Sequence, residues 1–289
     1  MKRVVFLSGK GGTGKTTLAS SFAMIVDDLV IVDADVDAAN LHLVLHPTVE
    51  ATGIYRGSKL AVVDEAVCTA CGRCVDVCRF GAMIGPGKVD PLGCEGCGAC
   101  VTICPEQALS LVESESGEWY RGRSKRGPVV GAELHPGEET SGKLVSLVKG
   151  KADEIAETEG SSWMSIDGAP GIGCPVIASA TGADIAVLVT EPSCSGLHDL
   201  ERIHGVVEHF GLEAYLVINK ADLSPELTKR IEVFAEEKKI PVLGQIPYDH
   251  RVTHALRSGH GIVQDAASPA GRSVHRIIER LKAETGPSM

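Results

Sequence analysis

The sequence predicts an α/β fold, a mostly parallel sheet flanked by helices, with a small α+β module inserted into it. Three observations carry that expectation. A glycine-rich loop follows the first apolar strand and opens a helix. Apolar runs then alternate with helical patterns along the chain. Eight regularly spaced cysteines interrupt the alternation between Cys68 and Cys104. Strands separated by helices pair in parallel through right-handed crossovers, so removing the cysteine block leaves one continuous α/β domain.

In chain order, Val4–Leu7 is a short buried strand, 8–16 a glycine-rich loop and 16–26 a helix. Leu29–Val32 is a second apolar strand ending at Asp33. The charged-then-apolar N-terminus is too short in its apolar part for a signal peptide and reads as the first strand. From about residue 62 to 112 the composition turns to Cys, Gly and small side chains. Beyond it, 143–158 has helical spacing, Trp163–Ile166 is a strand ending at Asp167, and Ile185–Thr190 is another. Then follow a helix over 198–210, a strand over 215–219, a helix over 225–238 and a strand over 242–246. Val274, Ile277, Ile278 and Leu281 stand at i, i+3, i+4 and i+7 of a final amphipathic helix. The expected division is residues 1–60 and 116–289 as one discontinuous domain and 61–115 as the insert.

Gly9-Lys10-Gly11-Gly12-Thr13-Gly14-Lys15-Thr16 satisfies G-x-x-x-x-G-K-[ST] at every fixed position, between a strand and a helix where the motif must stand. Glycines let successive N–H groups converge on phosphate oxygens at a helix N-terminus. Lys15 is expected to neutralise the β- and γ-phosphates and Thr16 to reach Mg²⁺, with Thr17 beside it. This is the loop expected of a P-loop nucleoside triphosphatase.

Lys10 adds a second cation, giving Lys-Gly-Gly-Thr-Gly-Lys-Thr. Here the chain resembles the deviant Walker A family of MinD, ParA, Mrp-type cluster carriers and the nitrogenase iron protein. That resemblance implies an ATP-sandwiched dimer, homomeric or formed with a related ATPase, in which Lys10 acts on the partner's nucleotide. Ile31-Val32-Asp33-Ala34-Asp35, continuing to Asn40, is similar to the family's D-x-D…N segment. It implies Asp33 near Mg²⁺, Asp35 orienting the attacking water and Asn40 lining the site. Asp167-Gly168-Ala169-Pro170-Gly171 resembles its switch II, with Asp167 beside the metal. Mg²⁺ prefers hard oxygen ligands, which suits these carboxylates. The catalytic set so implied is Lys10, Lys15, Asp35 and Asp167, in an ATPase that is slow until a partner stimulates it.

Asn219-Lys220-Ala221-Asp222 closes a strand and fits the Asn-Lys-x-Asp that reads guanine in GTPases. The resemblance instead places Asn219, with Pro247 and Asp249 of the following loop, around adenine. ATP is the expected nucleotide, with GTP as the alternative.

Cys68-x2-Cys71-x2-Cys74-x3-Cys78 and Cys94-x2-Cys97-x2-Cys100-x3-Cys104-Pro105 repeat at an offset of 26, carrying Gly72/Gly98, Val75/Val101 and Ala82/Ala108 with them. This is bacterial two-cluster ferredoxin spacing, in which the fourth cysteine of each run ligates the other cluster. Cys68, Cys71, Cys74 and Cys104 are thus expected at one [4Fe–4S] cluster, and Cys94, Cys97, Cys100 and Cys78 at the other. Structural zinc prefers paired knuckles with longer gaps between them. Arg79 stands where the second copy has Pro105.

Weaker features have bland readings beside sharper ones. Cys174 and Cys194 are left over; Cys174 stands where the nitrogenase iron protein ligates its bridging cluster, while an unpaired thiol is the commoner explanation. His42 and His46 lack a third ligand. Arg121, Arg123, Lys125 and Arg126 read as a solvated hairpin or as a dock for an acidic redox partner. The last helix is expected to pack on the sheet rather than to anchor a membrane. A net charge of −10 disfavours nucleic acid and anionic lipid as partners. A cytoplasmic ATPase coupling a dimer cycle to electron transfer with a redox protein is the expected function. A cluster carrier or a MinD/ParA-like positioning ATPase is the alternative.

Overall fold

Positions 4–8 of β1 (Lys2–Ser8) are all buried, as a strand covered by helices on both faces must be. In the computed structural model, which describes residues 1–138 and 141–286, β1 leads to α1 (Lys15–Ile25), β2 (Leu29–Asp33), α2 (His42–Leu45) and β3 (Thr48–Tyr55). Next come β4 (Ser58–Val63), α3 (Arg73–Val77), β5 (Met83–Gly85), β6 (Lys88–Val89), α4 (Ala99–Ile103) and β7 (Leu109–Ser114). The chain continues through β8 (Gly117–Ser124), β9 (Gly127–Leu134), α5 (Ser141–Glu159), β10 (Trp163–Pro170), α6 (Cys174–Ala180) and β11 (Ile185–Thr190). It finishes with α7 (Cys194–His209), β12 (Glu213–Asn219), α8 (Pro225–Glu237), β13 (Val242–Ile246), α9 (His250–Arg257) and α10 (Pro269–Thr285).

These elements form two compact units. The larger comprises Met1–Thr52, Trp119–Glu133 and 141–286. Its sheet runs in the order β13-β12-β11-β1-β10-β2-β9-β8-β3, and the seven strands from β13 to β9 pair in parallel. The switch in winding direction at β1 opens a crevice at the strand C-termini, where such sheets bind ligands. Phe22 of α1 is fully buried between Phe6 and Trp163, edge-on to rings 5.6 and 5.7 Å away. Val274, Ile277, Ile278 and Leu281 of α10 are buried in the same core, so the terminal helix is a packing element.

Helix boundaries follow their caps. The helix expected from residue 198 starts at Cys194, because Ser193 Oγ accepts the Gly196 N–H at 3.0 Å. The basic run lies on β8 and its turn, and Arg123 pairs there with Glu159 and Glu50. β8 and β9 escaped the periodicity reading because β9 is buried almost throughout and shows no alternation. His46 ends α2 with its Nε2 2.8 Å from the Gly259 carbonyl, a structural contact.

The smaller unit, Gly53–Glu118 with 134–138, exceeds the cysteine block because β4 and β7, which carry no cysteine, pair antiparallel from Ser58↔Ser114 to Val63↔Leu109. Its core is small: Ala61, Cys74, Met83, Cys100 and Leu109. The sequence repeat is also a backbone repeat. Ala70/Gly96, Gly72/Gly98 and Gly81/Gln107 all have positive φ at the same offset. In each copy the second cysteine is exposed and the third buried.

Candidate functional site

Parallel register brings the acidic residues together. Asp167 of β10 is the Cα partner of Asp33 of β2 on one side and of Phe6 of β1 on the other. Two carboxylates thus meet at the strand ends directly beside the loop that follows β1. Lys15 Nζ lies 2.8 Å from Asp167 Oδ1 and 3.5 Å from Asp35 Oδ2, with all three side chains largely buried. Burial alone would pull the lysine's pKa down, but Asp167 and Asp35 outweigh it and the net displacement is upward. Burial, reinforced by Asp167, pushes the Asp33 carboxyl up to about 8. Asp33 Oδ2 accepts the N–H groups of Asn40 and Leu41, whereas its Oδ1 is buried without a partner among the described residues. Thr13 Oγ1 is in the same position. Three carboxylates against one lysine leave an acidic pocket, although among the described residues no three His, Cys, Asp or Glu side chains are gathered as ligands of a single metal ion.

The loop is held from both sides. Ser8 Oγ donates to the Lys10 carbonyl at 2.8 Å, and Asn219 Nδ2, at the end of β12, donates to the Thr13 carbonyl at 2.7 Å. Gly14 has φ +96°, and a Cβ there would lie 2.3 Å from that Asn219 amide nitrogen. A Cβ on Gly9 would strike Asp199 at 2.4 Å. Lys10 points to α7: its Nζ bonds Ser193 and Ser195 Oγ at 3.0 Å and Glu191 at 2.7 Å. Glu191 also holds Lys220 at 2.7 Å. Although burial would raise the Glu191 pKa, the two lysines hold it below the usual range.

A cleft opens above these groups. Gly11, Gly12, Thr13, Gly14, Lys15, Thr16, Thr17, Asp35, Asn40 and Asn219 line it. Gly9, Lys10, Asp33, Asp167, Pro247 and Asp249 do not line its wall. Asp249 instead caps α9 through the Arg251 N–H at 3.0 Å and accepts from Ser268 at 2.5 Å, a structural role that holds its carboxyl low despite the opposing effect of burial. The sequence reading placed Lys220, Ala169 and Pro170 within motifs without giving them a cleft role, and missed the α9 side chains Val252, Thr253 and Leu256. The basic, short α9 carries no motif that could have signalled a cleft wall.

The model of the CobQ/CobB/MinD/ParA nucleotide-binding domain matches residues 4–262. The chain belongs to this MinD/ParA family. Among its relatives is a protein of Methanocaldococcus jannaschii, 32% identical over 97% of this chain and 96% of its own length. Another is the septum site-determining protein MinD of Synechocystis, 24% identical over 98% of this chain and 90% of its own length. The fold matches that of MinD from Pyrococcus horikoshii, solved with Mg-ADP, at a TM-score of 0.61, 19% identity, and 99% and 97% coverage. The described residues contain no helix long and apolar enough to cross a membrane.

The smaller unit of this MinD/ParA-family chain holds two further cavities. Cys68, Cys71, Cys74 and Cys104 line one, together with Arg73, Glu106 and Leu109. Cys78, Cys94, Cys97 and Cys100 line the other, with Phe80, Met83 and Leu111. Among the described residues, no three His, Cys, Asp or Glu side chains are gathered as ligands of a single metal ion. Cys174 and Cys194 are exposed at the starts of α6 and α7.

Proposed function

We propose that this MinD/ParA-family chain is an ATPase whose dimer cycle drives electron transfer through two [4Fe–4S] clusters held by its smaller unit. The family match and the fold support the nucleotide half. One observation supports the redox half: eight cysteines close two cavities of four, each built from three cysteines of one repeat and the fourth of the other. That is the exchanged ligation expected of two-cluster ferredoxins. The thiolates of a cubane bind different irons and so spread wider than ligands of one ion, consistent with the lack of a single-ion site. The clusters would supply one-electron chemistry. The cysteine side chains would hold them, and the Ala108 N–H donates to Cys104 Sγ at 3.3 Å.

On the nucleotide side, Thr16, Asp33 and Asp167 would hold Mg²⁺, which neutralises phosphate charge. The unpartnered Asp33 Oδ1 fits that role. Lys15 leaves Asp167 for the β- and γ-phosphates, and the N–H groups of 11–16 receive phosphate oxygens. Asp35, at the cleft wall, orients water. Lys10, released from Glu191, reaches a second subunit, either another copy or a related ATPase. A redox protein would accept or supply the electrons.

The test is anaerobic. About eight irons per chain with matching sulfide, absorption near ~400 nm, and ATP-dependent dimerisation lost in Lys10→Ala are expected. Iron-free folded protein would remove the redox half and leave the ATPase half standing. Similarity to septum site-determining proteins along 90% of their length favours a second reading, a MinD-like positioning ATPase. A liposome or DNA sedimentation assay with ATP separates the two. Transfer of clusters to an apo-acceptor protein would instead indicate a cluster carrier.

A further inference from the structure

The quartet Asn219-Lys220-Ala221-Asp222 has the letters of a guanine reader, so the bonds its side chains make decide what it does. In a guanine reader, the aspartate carboxylate must face the base and accept from the guanine N1–H and 2-amino group. Here Asp222 Oδ1 accepts the Tyr248 backbone N–H at 2.6 Å, tying the chain after β12 to the loop between β13 and α9. Asp222 does not line the cleft. Lys220 is spent as well: its Nζ donates to the Gly12 carbonyl at 3.1 Å and to Glu191 at 2.7 Å. Its left-handed backbone, φ +54°, is held by its N–H donating to Asn219 Oδ1 at 2.9 Å. Only Asn219, through its second amide proton, remains free to meet a base. That proton suits purine N7, an acceptor that adenine and guanine share.

We infer that the quartet braces the nucleotide cleft instead of reading guanine: Asn219 and Lys220 fix the phosphate loop, and Asp222 positions the loop that carries Tyr248 toward α9. Selection of the base edge then falls to the cleft wall of α9, where Thr253 is the polar side chain between Val252 and Leu256. This inference rests on the reading of the cleft as a nucleotide site.

The experiment measures Mg²⁺-dependent binding of ATP, GTP, xanthosine triphosphate and inorganic tripolyphosphate to the full chain, wild type, Asp222→Ala, Asp222→Asn and Thr253→Val. Tripolyphosphate probes the phosphate loop without a base. If it and ATP both fail to bind the wild type, the nucleotide reading itself fails. With that reading intact, Asp222→Ala, which removes the acceptor of the Tyr248 N–H, is expected to weaken ATP and GTP by a similar factor, about tenfold, whereas Asp222→Asn, which keeps an amide oxygen there, binds both within about threefold of wild type. In both variants tripolyphosphate affinity stays within twofold of wild type, and xanthosine triphosphate gains nothing. Thr253→Val is expected to change the ATP:GTP ratio at least threefold. A carboxylate that reads guanine behaves differently, because asparagine offers an amide donor to the xanthine 2-carbonyl. Selective loss of GTP with gain of xanthosine triphosphate in Asp222→Asn overturns the inference. So does an ATP:GTP ratio that Thr253→Val leaves unmoved. If Asp222→Asn fails to fold, Asp222→Glu, which keeps the charge but lengthens the arm, still reads whether GTP is lost selectively over ATP.

Discussion

Replacing Asp33 by Asn should stabilise the metal-free, nucleotide-free protein while abolishing its Mg²⁺-dependent function. Asp33 is fully buried, its Oδ1 has no partner among the described residues, and Asp167 stands beside it. Burial and Asp167 move its carboxyl from 3.8 to about 8. A carboxyl whose pKa is raised by folding contributes stability below its unfolded value and loses it as pH rises toward the folded value. At pH 7 the ionisation penalty therefore spans about three pH units, or about 4 kcal/mol at ~1.36 kcal/mol per unit. Relaxation of the site lowers that ceiling, so about 2–4 kcal/mol is expected. Asparagine keeps an acceptor for the Asn40 and Leu41 N–H groups and offers its amide to the neighbouring carboxylates. The assay is urea unfolding in EDTA at pH 7 and pH 4.5, with Mg²⁺-nucleotide binding in parallel. Asp33→Asn should be the more stable protein at pH 7, with the difference shrinking toward pH 4.5. A variant equal to or weaker than wild type at pH 7 would refute the reasoning, because the acidic cage would then carry no strain.

Four further outcomes are expected. Gly14→Ala should lower stability by roughly 1–3 kcal/mol and nucleotide affinity at least tenfold, since its φ of +96° and the Asn219 amide both oppose a side chain. Gly11→Ala, with no atom within 4 Å of its Cβ, should melt like wild type when both variants are scanned by calorimetry. Glu191→Gln removes the ionic partner of Lys10 and Lys220. ATP-dependent dimerisation should then occur at about tenfold lower protein concentration in sedimentation, about 1.4 kcal/mol, and unchanged dimerisation counts against Lys10 as the dimer-forming cation. Lys149 donates to the carbonyls of Ala178, Ser179 and Thr181 around the end of α6, and burial lowers its pKa from 10.5 to about 8. The unfolded chain binds the extra proton in that window, so this group's contribution rises by at most about 3 kcal/mol from pH 8 to 10.5. Lys149→Met should flatten that rise in pH-dependent urea melts.

Local chemistry was legible in the chain itself. The spacing from Gly9 to Thr16 dictates a loop whose N–H groups converge, because glycine adopts the positive φ of Gly12 and Gly14 without the strain a side chain would add. Likewise the repeat from Cys68 to Cys104 imposes the same turns twice, since each run of x2 gaps curls the same way whatever surrounds it. What the tertiary structure decided lies between residues far apart in sequence. Asp33 meets Asp167 only because β2 and β10 pair in parallel register, and Lys10 meets Glu191 only because α7 starts beside the loop. Asp249 and Asp222 carry letters that read as nucleotide contacts, yet both carboxylates accept backbone N–H groups of the chain itself. A motif states which groups are available, and only packing states which of them are already engaged.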